Sequence, residues 1–280
     1  TNYLWNTGDT TQTIYANATG NYSVTVGNGT VNSGGNSLEF DGVDDGINAN
    51  ASSSLNISNT NNLTLSAWVK PTSNNHGYIF VHGSSGTGQG QYQLQIDANQ
   101  KVYFTTAGAV NTPGSFETNN IFNVSNSTLN QNQWSYITIT YDNLAIKIYI
   151  NGNLDFQNNV VDIFPTNYIG EFFIGRNGIN TQLFNGKIDG INVWSNALTQ
   201  SEIQYYMNCP PTGNEVGLVG YWNMDEGTGT TLTDLSGNGN DGTINGATWS
   251  NNTPTQICDN CTTTDSIYVE ILDVDIVQND

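Results

Sequence analysis

The chain has 280 residues, of which 24 are Asp or Glu and only 5 are Lys or Arg, for a formal charge of −19. Phosphates and anionic lipid headgroups are held by clustered Lys and Arg, so this composition argues against nucleic acid and acidic membrane surfaces as partners. The remaining polarity is Asn, Thr, Ser, Gln and Gly, and the excess acid has an obvious counterpart in Ca²⁺, which takes oxygen ligands from Asp, Asn and backbone carbonyls.

In chain order, residues 3–26 read as two β segments, the second a Tyr22-x-Val24-x-Val26 strand. From Asn62 to Pro71, Leu63, Leu65, Ala67 and Val69 share one face, and Thr64, Ser66 and Trp68 share the other. That is the period of a β-strand. Segments 78–83, 91–97 and 101–108 follow, separated by Gly- and Asn-rich turns. Residues 107–130, with Phe116 and Phe122, read as a long loop suited to a lid or contact role. In 134–142, Ile137, Ile139 and Tyr141 fall on one face; in 144–153, Leu144, Ile146, Ile148 and Ile150 alternate inward. The second of these ends in Asn151-Gly152, which tolerates positive φ at both positions and predicts a tight hairpin. Segments 171–178 and 184–198 add two more strands. One helix is predicted: Thr199 and Glu202 form a capping box, Ile203, Tyr206 and Met207 follow at helical spacing, and Pro210 and Pro211 stop it. Residues 217–249 read as two short strands around a Gly/Asn-rich loop, of a length that usually signals function or bound metal. Residues 265–280 read as one long strand. Short, regular strands with turn residues between them predict an all-β antiparallel sandwich or jelly roll.

Three cysteines, Cys209, Cys258 and Cys261, favour a structural disulfide from Cys209 to Cys258 or Cys261. The Cys258-x-x-Cys261 spacing lacks the βαβ context of a redox motif, and the two histidines, His76 and His82, lie far from it in sequence. A disulfide points to an oxidising compartment, hence to a secreted or cell-surface protein. The chain starts at Thr1 without an apolar signal-like stretch and holds no transmembrane run, so it reads as a mature or excised piece.

Four segments, 37–49 (SLEFDGVDDGINA), 63–71 (LTLSAWVKP), 133–142 with 146–153, and 186–203 (GKIDGINVWSNALTQSEI), resemble in this order the laminin-G-like group of concanavalin A-like lectin folds. The resemblance implies two antiparallel sheets packed as a jelly roll over about 36–258. Segment 217–249 resembles the opening of such domains, which normally precedes the FDGVDD motif. It either begins a second, truncated domain or closes the same jelly roll in permuted order; the absence of a second FDGVDD motif and the flanking cysteines favour the latter. A Cys209–Cys258 bridge would close a loop of about 50 residues and stabilise by about 4 kcal/mol in the chain-entropy model. The ends resemble halves of immunoglobulin-like repeats of long secreted bacterial surface proteins. The expected division is therefore 1–30 closing one repeat, 31–261 the jelly roll, and 262–280 the first strand or linker of the next repeat.

Asp41, Asp44 and Asp45 place three carboxylates within five residues, which repel unless hydrated or bridged by a cation. The resemblance implies Ca²⁺ near this loop, aided by Asp189 from the strand before the helix. Asp234, Asn238, Asn240 and Asp241 alternate oxygen donors with glycines, a second candidate Ca²⁺ loop. The same residues also suit a loop held by side-chain-to-backbone hydrogen bonds. Gln91, Gln93 and Gln95 line one side of a strand, and His76, Tyr78, His82, Arg176, Asn177 and Gln182 lie on neighbouring segments. Such groups suit a neutral or mildly acidic glycan; an ordinary wet sheet face is the plainer reading. Trp68, Trp134, Trp194, Trp222 and Trp249 read as packing residues. Neither the E-x-D-x-x-E pattern of glycosidases on this broad fold nor a G-x-S-x-G elbow occurs, so no enzyme is expected. The expected function is Ca²⁺-supported recognition of a polysaccharide or glycoprotein within a larger surface protein, with neighbouring copies as further possible partners. The alternative is a spacer in a surface filament or stalk.

Overall fold

The near-continuous burial of the segment 63–71 shows how the sheets are arranged. Leu63, Leu65, Ala67 and Val69 are fully buried, and Thr64, Ser66 and Trp68 on the opposite face are buried too. A strand buried on both faces needs cover on both sides. One face packs against a second sheet and the other against the helix.

The computed structural model describes residues 2–5, 13–16, 18–27, 30–32, 35–49, 52–56, 60, 62–84, 89–106, 121–159, 170–258 and 262–269. The strands are β1 (Asn2–Trp5), β2 (Gly20–Gly27), β3 (Thr30–Asn32), β4 (Ser37–Asp41), β5 (Gly46–Ala49), β6 (Leu63–Pro71) and β7 (Gly77–Ser84). They continue with β8 (Gln89–Ile96), β9 (Lys101–Thr106), β10 (Ile121–Thr128), β11 (Ser135–Tyr141), β12 (Ala145–Ile150), β13 (Asn153–Asn159), β14 (Phe172–Ile174) and β15 (Asn185–Trp194). After helix α1 (Gln200–Asn208) come β16 (Leu218–Trp222), β17 (Thr231–Leu232), β18 (Gly242–Asn245), β19 (Thr248–Ser250), β20 (Gln256–Cys258) and β21 (Thr262–Val269).

The chain divides into two compact units. The smaller, residues 1–32 and 255–280, holds the antiparallel sheet β1-β2-β21 and the pair β3-β20. The larger, residues 33–254, holds two eight-stranded antiparallel sheets. One runs β10-β9-β8-β7-β14-β5-β18-β17; the other runs β13-β12-β11-β6-β15-β4-β19, with β16 also on β15. Strands β16–β19, from the segment 217–249, thus enter both sheets. The inter-sheet core includes Leu38, Phe40, Leu65, Phe80, Leu94, Phe104, Ile139, Phe172 and Trp222.

On the outer face of the β6/β11 sheet a second cluster forms from Trp68, Tyr136, Tyr149, Trp194, Leu218 and Tyr221, closed by Leu198 and Ile203 beside the partly buried Tyr206 and Met207 of α1. The helix begins at the capping box read from the sequence: Thr199 Oγ1 accepts from Glu202 N, and the Glu202 carboxylate accepts from Thr199 N at 2.7 Å. Thr199→Ala is expected to cost about 1 kcal/mol in urea unfolding, an intact value arguing that side-chain packing alone holds the helix start.

Two local expectations fail. Leu144 does not face inward: it sits in the turn before β12 and is 68% exposed. The second half of the expected 107–130 loop is strand β10, paired with β9. Residues 107–120, with Phe116, lie outside the described residues, as does the side chain of Phe122. Cys209 and Cys258 are disulfide-bonded; Cys261 lies outside the described residues. Among the described residues no helix is long and apolar enough to cross a membrane.

Candidate functional site

The outer face of the β7–β10 sheet carries polar side chains where apolar ones would be cheaper. Cross-strand pairs place Thr105, Gln93, Val81, Phe173, Asn48, Thr243 and Thr231 in one row across the sheet. Within it, Gln93 Oε1, Thr105 Oγ1 and Asn48 Oδ1 are buried without a hydrogen-bond partner. So is Nε of Arg176, whose guanidinium lies 5.3 Å from the Phe173 ring centroid and whose Nη1 donates to Asn180 Oδ1 at 2.9 Å. Buried unpaired polar atoms are rare and costly, so each calls for an explanation. Here both acceptors and a donor remain.

Two residues further along the strands stands a second row, Tyr78, Gln95 and Tyr103. His76 Nε2 lies 2.7 Å from Gln95 Oε1, and its ring sits 6.4 Å from Tyr78 and 6.5 Å from Tyr103. Burial pushes the Tyr78 hydroxyl above its usual range, against a hydrogen bond to Asn177. Tyr103 is also raised, by desolvation first and then by its neighbour Asp97.

Of the expected binding residues, His76, Tyr78, Gln93 and Arg176 reach this face, whereas His82 does not. It pairs with Tyr92 and Phe172 on the core side, fully buried, with its ring 5.1 Å from that of Tyr92. A bulge between Tyr78 and Phe80 shifts the alternation by one residue, so Tyr78 and His82 point to opposite faces. Asn177 is structural: its Oδ1 accepts from Ile179 N and Thr181 N, and its Nδ2 donates to Thr181 Oγ1. Gln182 contributes its backbone carbonyl to Tyr78 N at 3.0 Å, while its side chain is exposed. The side chain of Gln91 lies outside the described residues. Sequence reading missed Thr105, Tyr103 and Asn48; the polar phase Lys101, Tyr103, Thr105 of β9 was a usable signal for the first two.

The acidic candidates separate into three places. Carboxylate oxygens of Asp41, Asp44 and Asp45 all lie within 4.8 Å of one another. Asp45 is buried and accepts from Asp41 N at 2.8 Å, while Asp41 Oδ1 accepts from Val43 N. Burial, then the charges of Asp41 and Asp44, hold the Asp45 carboxyl above the usual range. Gly246, at φ +82°, makes room for it: a Cβ there would sit 2.0 Å from Asp45 Oδ1.

Asp189 does not join this group. Asp41 pairs with Asn185, four residues along β15, so Asp189 stands roughly 13 Å away along the strand. It lies instead on the outer face of its sheet opposite Trp68, and burial and the charge of Asp225 raise it well above the usual range.

The loop 234–241 is tied together by its own hydrogen bonds. Asp234 Oδ1 accepts from Tyr221 N and Ser236 N; Oδ2 accepts from Asn240 N and Asn240 Nδ2. A carboxylate has about four acceptor sites, so these four donors fill them. Asp241 Oδ1 accepts from Asp234 N, and Asn238 Nδ2 donates to Val219 O. These bonds match the plainer expectation for this loop, a turn held by side-chain-to-backbone hydrogen bonds.

A family model described as the concanavalin A-like lectin/glucanases superfamily, of laminin G type, matches residues 40–204. The adhesion G-protein coupled receptor V1 of Danio rerio is 26% identical over 172 residues, 57% of this chain but 3% of that protein. The chain thus spans a small fraction of that curated relative. Among solved structures, a putative carbohydrate binding protein from Bacteroides ovatus superposes with a TM-score of 0.61 at 21% identity, over 80% of this chain and 61% of that one. The heptameric SAP-like pentraxin of Limulus polyphemus gives 0.51 at 15% identity, over 77% and 96%. At such identities these two structures share the fold.

Proposed function

The chain belongs to the concanavalin A-like lectin/glucanases superfamily, and from that premise we propose that it is a non-catalytic extracellular recognition module, stabilised by Ca²⁺, that binds a polysaccharide or glycoprotein. In this reading the smaller unit's strands belong to immunoglobulin-like repeats of a longer secreted surface protein. The observation that carries the reading is the row of orphaned polar atoms, Gln93 Oε1, Thr105 Oγ1, Asn48 Oδ1 and Arg176 Nε. Sugar hydroxyls both donate and accept, so one ligand class satisfies acceptors and donor together. The test is binding of the whole chain to an array of glycans and glycoproteins with Ca²⁺ present. Binding weakened by Gln93→Leu and by Asn48→Leu is expected; no binding to any glycan or glycoprotein sinks the reading. Release of reducing sugar from any bound glycan would overturn its non-catalytic part.

The Asp41, Asp44 and Asp45 carboxylates are hard oxygen donors close enough together to share one Ca²⁺. An ion that binds only the native state raises its stability by about 1.4 kcal/mol at ten times its dissociation constant. EDTA is therefore expected to lower the thermal midpoint, Ca²⁺ to restore it, and Asp44→Asn to abolish the difference. A midpoint indifferent to both additions removes Ca²⁺ from the proposal.

A further inference from the structure

We infer that His76 and Tyr103, backed by the buried Tyr78, form a stacking platform for pyranose rings of an uncharged polysaccharide. This narrows the recognition reading above and rests on it. The strand register puts the two tyrosines on the same face with Gln95 between them. Neighbouring strands lie about 4.8 Å apart, so the two tyrosine backbones are roughly 10 Å apart. His76 fills the gap: its ring lies 6.4 Å from Tyr78 at an interplanar angle of 30°, and 6.5 Å from Tyr103 at 40°. His76 thus lies beside both tyrosines.

These rings are held in place before any ligand arrives. Gln95, itself buried, receives His76 Nε2 at 2.7 Å; because an amide oxygen only accepts, Nε2 carries the hydrogen. Asn177 lies beside the Tyr78 hydroxyl, and Asp97 beside that of Tyr103. Rings fixed in this way lose little freedom on binding. Exposure separates His76 and Tyr103 from core aromatics, whereas Tyr78 is buried and backs them. Tyr92 and Phe104, at alternate positions on β8 and β9, are fully buried, whereas His76 and Tyr103 are only partly buried.

Charge selects the ligand class. Asp97 lies beside Tyr103, and the −19 of the whole chain outweighs Arg176 on the adjacent row, so an acidic polymer is repelled. The adjacent row of orphaned acceptors and one donor matches the hydroxyl edge of a sugar chain whose ring faces lie on the platform.

The test is affinity electrophoresis of the whole chain through gels containing galactomannan, xylan, arabinan or mixed-linkage β-glucan, with polygalacturonate as the acidic comparison. Retardation by at least one neutral polymer is expected. Tyr103→Ala and His76→Ala should each weaken it roughly three- to tenfold, with Tyr103→Phe close to unchanged. Thermal midpoints of the variants exclude unfolding, and Tyr103→Phe preserves the comparison should an alanine variant unfold. Neutral-polymer retardation that all three variants leave intact overturns the platform but not the recognition reading. Retardation by polygalacturonate alone overturns the uncharged class. No retardation by any polymer, together with glycan binding on the array, overturns the polysaccharide assignment; silence in both assays overturns the recognition reading itself.

Discussion

Asp234→Ala is expected to destabilise the larger unit by about 4 kcal/mol, because it strips four N–H donors of their acceptor in one step. Two of those donors are backbone groups inside the fold: Tyr221 N on β16 and Asn240 N beside β18. Both lie at buried residues, and Asp234 as a whole is 6% exposed, so water cannot readily replace its carboxylate without opening the loop. The loss spreads further. Asn240 also donates from Nδ2 to Val219 O, accepts from Ser54 Oγ, and offers its carbonyl to Trp222 Nε1 at 3.0 Å. Trp222 is fully buried and stacks on Phe172, 5.1 Å between centroids. Urea unfolding followed by tryptophan fluorescence should show a lower midpoint with little change in slope. Asp234→Asn keeps the shape and part of the acceptor capacity and should fall between the two. The deficit should be the same in EDTA and in Ca²⁺. A loss below about 1 kcal/mol would deny Asp234 its anchoring role, and a loss that disappears in EDTA would return the loop to metal binding.

The same residues show what could be read from sequence. Alternation at Leu63–Val69 and at Ile146–Ile150 identifies strands, since a pleated strand exposes its faces with period two. The capping box at Thr199 and the turn at Asn151-Gly152 are equally local, and the jelly-roll class followed from the order of such segments. What failed depended on partners distant in sequence. One bulged residue in β7 sends His82 to the core and leaves Tyr78 outside, although both have the same parity. A bulge costs no change in composition, so nothing in the segment 78–83 announces it. Asp234 and Asn240 read equally as an ion-wrapping loop or a hydrogen-bonded turn, because the β16 groups they meet, Tyr221 N donating to Asp234 and Val219 O accepting from Asn240, lie on another strand. Asp41 and Asp189 looked like neighbours because family resemblance grouped them, whereas strand register separates them by four residues. The orphaned row was partly legible: its Gln93 was singled out, but Thr105 and Asn48 join it only through cross-strand pairing.

Asp189→Asn is expected to raise stability at neutral pH by about 2–3 kcal/mol, since a buried carboxylate without a cationic partner costs several kcal/mol when charged. Asp189 stands on β15 opposite Trp68 and is 8% exposed. Burial first, then the negative charge of Asp225, raises its carboxyl well above the ordinary range, with only the Gly190 N–H acting the other way. Those two carboxylates also raise the hydroxyl of Tyr221, behind the desolvation that dominates there. An acid whose folded-state pKa exceeds its unfolded value binds more protons when native. Its favourable contribution is therefore complete below the unfolded value, about 4, and is lost as pH rises through the folded one. Wild-type stability should accordingly decline from about pH 4 upward and then level off. Asp189→Asn should flatten much of that decline without abolishing it, because Asp45 and Asp225 are raised in the same direction, each chiefly by burial. Urea midpoints taken across the pH range measure both slope and offset. If the variant is instead weaker than wild type at neutral pH, the Asp189 carboxylate is working as a charge. A cation held between Asp189 and Asp225 would then be the simplest account, because no Lys or Arg is among the groups that shift Asp189.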